Sequence, residues 1–162
     1  YAGSADPNTA GNGSLMRLAP AAIRHWNDAD ARRDVAARQS RMTHAAPEAV
    51  DACVYYADLL AEAIAGRGRA EILAPRAIVA APKIEQIAGG AWRGKPRRGV
   101  RGTGYVVDAL EAALWCVATS GDFRGAVQRA ANLREDADTT AAMAKPRLMA
   151  FRPCSPGRTR VT

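Results

Sequence analysis

The stretch PEAVDACVYYADLLAEAIA, residues 47–65, decides the fold class. Cys53, Ala57, Leu60 and Ile64 fall at i, i+4, i+7 and i+11, which lines one face of an α-helix, and Pro47 is admissible in the first turn because its missing N–H has no helical partner there. Gly66 and Gly68 stop the helix. Toward the N-terminus, Val35 and Met42 mark the buried side of a helix starting at about Asp28. Leu15, Leu18, Ala22 and Ile23 mark one starting at Ser14, whose hydroxyl is a candidate N-cap. Tyr1 to Gly13, rich in Gly, Ser, Asn, Asp and Pro, reads as a loop. His25 and Trp26 are read as helix-surface and core residues, respectively.

Toward the C-terminus, Pro75 and Pro82 predict that residues 70–87 are helical only in pieces, since each proline removes a backbone donor. A glycine-rich loop, residues 89–104, follows. Val106, Leu110, Ala113, Leu114 and Val117 then predict a helix from Thr103 to Thr119, and Asp122 caps another through Val127 to Leu133. No segment alternates apolar and polar residues with the β-branched content that a strand favours, so the expected fold is all-α, without an internal repeat.

A chain of 162 residues is long enough for one domain with its own core. Three cysteines, Cys53, Cys116 and Cys154, with no Cys-x-x-Cys pair, suggest neither zinc nor a redox motif, and the expected setting is reducing and cytoplasmic. The longest apolar run, Tyr105 to Ala118, is interrupted by Asp108 and Glu111 and falls short of the roughly 18 residues that span a bilayer. No membrane partner is expected. Tyr1 stands where a natural chain begins with methionine, which predicts missing upstream sequence.

The net charge of +7 invites a nucleic-acid reading, but its distribution argues against one. Lys145, Arg147, Arg152, Arg158 and Arg160 bring five of those charges to residues 145–162, where no acid stands, leaving +2 for residues 1–144. A second basic group, Arg93, Lys95, Arg97, Arg98 and Arg101, lies among glycines and Pro96 and reads as a solvated loop.

Two segments carry chemistry. Asp136-Ala137-Asp138-Thr139-Thr140 sets two carboxylates and hydroxyls at the start of a small-residue helix, where they can converge on a hard cation that prefers oxygen ligands. Read alone, the same residues serve as ordinary helix caps. Gly11-Asn12-Gly13-Ser14 is a turn entering a helix, and its backbone N–H groups can approach a phosphate where side chains would obstruct one. Read alone, it is a simple loop-to-helix junction.

The continuation into Leu15-Met16-Arg17 changes the weighing. The string Gly-Asn-Gly-Ser-Leu-Met-Arg resembles a motif of the ADP-ribosylglycohydrolase family, and further resemblances recur in order. Residues 40–49, Ser-Arg-Met-Thr-His-Ala-Ala-Pro-Glu-Ala, look like its central Thr-His segment, and residues 102–115, beginning Gly-Thr-Gly-Tyr-Val, look like its Gly-x-Gly-Tyr-Val helix. The Asp-Ala-Asp-Thr segment looks like its C-terminal metal motif.

The resemblance implies a compact multi-helix hydrolase that uses two Mg²⁺ or Mn²⁺ ions to remove ADP-ribose from a modified side chain, often arginine, or from a small ADP-ribose conjugate. By position in the motifs, Asp136, Asp138 and Thr139 would be metal ligands. Gly11, Asn12, Gly13 and Ser14 would lie along the diphosphate and neighbouring ribose, with Met16 and Arg17 supporting the turn. His44 would approach the ribose or phosphates, and Tyr105 would border the adenosine end; a packed histidine and a core tyrosine are their alternatives.

Departures from the pattern limit what is carried over. The family's N-terminal Thr-Asp-Asp cluster has no counterpart here, so no catalytic residue is named and residues 1–144 are expected to be the C-terminal part of the domain, inactive alone. Arg134 stands where the family usually has glycine. Pro146, Pro153 and Pro156 make a last helix improbable, and residues 145–162 are read as a divergent, disordered basic tail. The rival expectations are a non-catalytic ADP-ribose-binding module and, further behind, a basic helical nucleic-acid binder.

Overall fold

Pro20 breaks the first helical stretch in two. In this computed structural model, which describes residues 2–133 and 137–144 (side chains of the latter at Asp138 and residues 140–142), the chain forms α1 (Gly13–Met16) and α2 (Ala19–Arg24) instead of one helix. Pro20 has no N–H for the Met16 carbonyl and is accommodated in the first turn of α2. Ser14 does not cap α1: the N-cap is Asn12, and Ser14 lies one residue inside the helix with its side chain buried.

The third helix, α3 (Ala29–Arg41), begins as expected, with the Asp28 carboxylate accepting the Ala31 N–H at 3.0 Å. Its buried face differs from the expected one. Arg32, Ala36 and Ser40 point inward, whereas Val35 is half-buried and Met42 is exposed. The cause is Arg32, which donates to Asp58 Oδ1 at 2.8 Å and to the Trp26 carbonyl at 2.9 Å and so fixes the rotation of the helix. Trp26, expected in the core, is exposed; its backbone, not its ring, is what Arg32 uses.

The apolar stretch after Ala46 forms α4 (Pro47–Ile64), the hub of the molecule. It packs against α1, α2, α3 and, further along the chain, α5 (Arg69–Ile72), α6 (Pro82–Ala88) and α7 (Val106–Ala118). Buried residues surround most of its girth, which is the pattern of a helix enclosed by others rather than one lying on a surface. Gly66, at φ 84°, ends it in the left-handed region that glycine enters freely. Residues 73–81 between α5 and α6 are non-helical, as Pro75 and Pro82 predict, and Arg76 ties them back through Glu62 at 2.5 Å and the Ile72 carbonyl at 2.9 Å.

The start of α7 lies three residues later than its apolar spacing suggests, because Gly104 and Tyr105 are held by a neighbouring segment. Then α8 (Phe123–Ala131) begins with the Asp122 side chain accepting the Gly125 N–H at 2.7 Å, and α9 (Ala137–Ala144) packs on α1, α7 and α8. Among the described residues there is no β-strand, only two isolated bridges, and no helix is long and apolar enough to cross a membrane. The basic loop is largely committed to structure: Arg93 donates to the Leu73 carbonyl at 2.5 Å, Lys95 pairs with Glu111 at 2.5 Å, and Arg97 donates to the Asn132 carbonyl at 2.9 Å. Arg134, Asp136, Cys154 and the expected tail, residues 145–162, lie outside the described residues.

Candidate functional site

Ninety-one residues of sequence separate Asn12 from Thr103, yet the two touch. Gly11 and Tyr105 form an antiparallel bridge in which the Asn12 N–H donates to the Gly104 carbonyl and the Val106 N–H to the Ala10 carbonyl, each at 2.9 Å. Asn12 is buried, and its Nδ2 donates to the Thr103 carbonyl at 3.2 Å. Thr103 in turn donates to Asp108 Oδ2 at 2.8 Å and accepts the Tyr105 N–H at 3.2 Å, so the first turn of α7 clamps the loop that the glycine turn pairs with. This pairing places the Gly-Asn-Gly and Gly-Thr-Gly-Tyr motifs side by side.

His44 joins them from a third segment. Its backbone is pinned twice: the His44 N–H donates to the Ser40 carbonyl at 2.7 Å and Ser40 Oγ donates to the His44 carbonyl at 2.8 Å. Ser4 bridges it in parallel, and Gly3 lies so close that a Cβ there would stand 2.7 Å from the His44 nitrogen. The half-buried ring lies across the glycine turn: a Cβ on Gly11 would be 3.1 Å from Nε2, and one on Gly13 3.1 Å from Cε1. Neither glycine has positive φ. They are small because an imidazole occupies the space a side chain would take.

Beneath the turn lies a polar cluster. Ser40 Oγ and Ser14 Oγ lie 3.0 Å apart, and since the Ser40 proton goes to the His44 carbonyl, Ser14 is the donor to Ser40; Gln39 Nε2 donates to the Ser14 carbonyl at 3.2 Å. The buried Cys53 Sγ lies 3.5 Å from Ser14 Oγ, and its thiol is pushed up chiefly by burial. The Ser14 side chain is therefore spent below the turn, and the Asn12 side chain beside it. Met16 and Arg17 are exposed, and the Arg17 guanidinium donates to the Gln39 carbonyl at 2.6 Å and to Thr43 Oγ1 at 2.7 Å.

On the other side of the bridge, the Tyr105 hydroxyl donates to Glu48 Oε2 and accepts from Lys83 Nζ at 2.7 Å. Lys83 also pairs with Glu48 at 3.2 Å and lies 5.0 Å from the centroid of the Tyr105 ring. Burial, and then the Glu48 carboxylate, push the Tyr105 phenol above its usual value; Lys83 opposes them. Glu48 and Lys83 are part of this arrangement, and no local sequence pattern marks either. Glu48 reads there as an ordinary acid in a helix first turn, and Lys83 as a surface lysine after a proline.

The α9 helix approaches from a fourth side. Gly102 permits it, since a Cβ there would stand 3.1 Å from Thr140 Oγ1. Asp138 is exposed in the first turn of α9; Asp136 lies outside the described residues, as does the side chain of Thr139. Asp138 is thus an exposed carboxylate on a helix that packs against α1, with oxygen donors of the kind a hard divalent cation takes. Among the described residues, no three His, Cys, Asp or Glu side chains cluster as a metal site. Two surface grooves, of about 400 and 440 Å³, lie around Arg33, Tyr55, Asp58 and residues 77–78, and no residue of the glycine turn lines either.

Three of the motifs thus meet around one turn, with α9 packed alongside, on a scaffold that is helical throughout the described residues. The sequence pattern that defines the ADP-ribosylglycohydrolase family matches residues 1–144, and the chain belongs to that family. A protein of Pseudomonas putida (strain GB-1) named ADP-ribosylarginine hydrolase Tri1 is 44% identical over 144 residues, covering 89% of this chain and 39% of that protein. One of the same name from Serratia proteamaculans (strain 568) is 35% identical over 147 residues, covering 86% and 38%. The chain spans about two fifths of the length of these curated relatives. A solved structure described as an ADP-ribosylglycohydrolase-related protein complex superposes with a TM-score of 0.80 at 35% identity, over 93% of this chain and 52% of that one.

Proposed function

We propose that this chain supplies the ADP-ribose-binding turn and a carboxylate arm of the metal site in a hydrolase that removes ADP-ribose from arginine side chains. The observation that carries the reading is the Gly11–Tyr105 bridge with the His44 ring laid over it, which brings three separated motifs to one place. The names of the relatives supply the arginine linkage.

In this reading the backbone of Gly11, Asn12, Gly13 and Ser14 runs along the diphosphate and the neighbouring ribose. Asn12 and Ser14 contribute main chain only, because their side chains are turned into the protein. Met16 and Arg17 support the turn; Arg17 does so by gripping Gln39, whose amide holds the Ser14 carbonyl. His44 meets a ribose or phosphate oxygen. Tyr105, held by Glu48 and Lys83, offers its ring to the adenosine end.

Asp136, Asp138 and Thr139 would hold Mg²⁺ or Mn²⁺, two ions in a full site, and such ions supply an activated water and charge stabilisation when bound. Loss of the arginine side chain from the ribose passes through an oxocarbenium-like state, which a fixed diphosphate and ribose favour by holding the sugar in register. The turn, His44 and Tyr105 are held by hydrogen bonding and packing within the chain, so ADP-ribose binding without hydrolysis is the second reading.

Calorimetry with ADP-ribose, with and without Mn²⁺, tests both, together with release of ADP-ribose from an ADP-ribosylated arginine peptide. Release that is lost in the Asp136→Ala, Asp138→Ala double variant supports the hydrolase. Metal-independent affinity without release supports the binder, and no affinity in either condition removes both.

A further inference from the structure

The partners of His44 specify more than a contact to substrate. His44 Nδ1 lies 2.7 Å from Thr43 Oγ1, and the same hydroxyl oxygen lies 2.7 Å from Arg17 Nη2. A guanidinium is donor-only, so Thr43 Oγ1 must accept from Arg17. The Arg17 group is not free to turn away: Nη2 also donates to the Gln39 carbonyl at 2.6 Å and Nε to Gln39 Oε1 at 3.0 Å. The hydroxyl keeps a second lone pair, but an oxygen already polarised by a cation is the poorer acceptor and the better donor, which favours giving the Thr43 proton to the Nδ1 of the imidazole.

We propose that Arg17 and Thr43 are positioning residues that fix His44 as its Nε2–H tautomer, so that the ring presents a hydrogen-bond donor, and not a base, over the glycine turn. This rests on the reading that the turn receives ADP-ribose. Ring placement makes the tautomer consequential. Nε2 is the atom nearest Gly11, 3.1 Å from where its Cβ would be and 3.5 Å from that of Gly13. A phosphate or ribose oxygen seated at the turn therefore meets an N–H. The reverse tautomer would put a lone pair there and repel an anion.

Charge acts in the same sense. Protonating the ring would place two cations on either side of one hydroxyl, and burial followed by the Arg17 charge holds His44 below its usual value. The neutral ring needs a tautomer, and Thr43 chooses it. A neutral donor is also suited to a group that must hold the sugar-diphosphate without taking up a proton during turnover.

The experiment is long-range ¹H–¹⁵N correlation on the ligand-free chain labelled at its two histidines, with His25→Gln to assign His44. The expected spectrum at pH 7.5 shows Nδ1 as the unprotonated nitrogen and Nε2 as the protonated one. Thr43→Val should give a mixture of tautomers, and Thr43→Ser should restore a single one. A protonated Nδ1 in the parent chain, or an unchanged spectrum in Thr43→Val, overturns the proposal.

Adding ADP-ribose separates this inference from the reading it rests on. A shift of the Nε2–H proton, with affinity about tenfold lower in Thr43→Val and recovered in Thr43→Ser, supports both. The expected tautomer without any response to ADP-ribose leaves the Arg17–Thr43–His44 arrangement standing and removes the ligand assigned to the turn. A response to ADP-ribose from the opposite tautomer keeps the ligand and rejects the arrangement.

Discussion

Gly102 and Thr140 approach so closely that a Cβ on the glycine would stand 3.1 Å from Thr140 Oγ1 and 3.3 Å from Leu133 Cβ. Contacts of that length force the neighbour to give by a few tenths of an ångström, and here the neighbours are a buried threonine on α9 and a buried leucine after α8. Gly102→Ala is expected to cost about 1–3 kcal/mol by overpacking, and Gly102→Val more. Urea unfolding checks this. A variant as stable as the parent would show that α9 does not sit where Gly102 admits it.

At the glycine turn the balance is different. Gly11 and Gly13 have backbone angles that alanine tolerates, so Gly→Ala there recovers about 0.4–1 kcal/mol of chain entropy. The same Cβ presses on the His44 ring at 3.1 Å. Gly11→Ala is therefore expected to leave stability within about 1 kcal/mol of the parent while displacing the imidazole and weakening ADP-ribose binding at least tenfold. Calorimetry beside urea unfolding separates the two effects, and unchanged affinity would take His44 out of the ligand's path.

What the sequence made legible follows from what local chemistry determines. The α4 helix was plain because its apolar spacing and its stop at Gly66 are local, as was the Asp122 cap of α8. The rotation of α3 was hidden, since Arg32 counts as polar in any periodicity and becomes a buried residue only through Asp58, 26 positions away. The glycines of the turn were recognised by their motif, but the ring they make room for belongs to residue 44. Glu48 and Lys83 were silent for the same reason, since each acquires its role from a partner that folding brings to it; Thr43 was legible as part of the Thr-His string, but not its contact with Arg17, 26 positions away.

The Arg32–Asp58 pair gives a sharp contrast with its neighbour. Arg32 is buried and donates to Asp58 and two backbone carbonyls, whereas Arg33 reaches Asp58 Oδ2 at 2.9 Å from a side chain 54% exposed. Removing Arg32 leaves Asp58 paired with Arg33 but takes away buried charge-assisted hydrogen bonds to Asp58 and to the Trp26 carbonyl, at a cost of about 1.5–3 kcal/mol; an exposed pair contributes under about 1 kcal/mol. Arg32→Ala is expected to fall in the first range and Arg33→Ala in the second by chemical denaturation. Equal losses would mean that α3 is not oriented by Arg32.

The thiols of Cys53 and Cys116 should be inert in the native state. Burial raises Cys53, and burial pushes Cys116 up to about 12, so neither is a thiolate near neutral pH. In a Cys154→Ser background, a thiol-reactive disulfide reagent at pH 8 is expected to label neither residue until denaturant is added. Rapid labelling of Cys53 without denaturant would show that the polar cluster under the glycine turn opens to solvent.

His44 makes the pH dependence of folding testable. Its folded-state pKa lies below the unfolded value because burial, and then the charge of Arg17, disfavour the imidazolium. At a pH between the folded value and about 6.5 the unfolded chain binds more protons at this site than the folded one. The contribution is therefore present in full above pH 6.5 or so and is lost as pH falls through the folded value. In His44→Gln that loss disappears, so the stability difference between parent and variant should shift toward the variant between pH 7.5 and pH 5. Arg17→Met should flatten the parent's slope in the same window, since it removes the second cause of the depression while leaving the burial. Urea unfolding at the two pH values measures both effects, and a parent-to-variant difference that does not move with pH would mean that His44 titrates alike in the folded and unfolded chains.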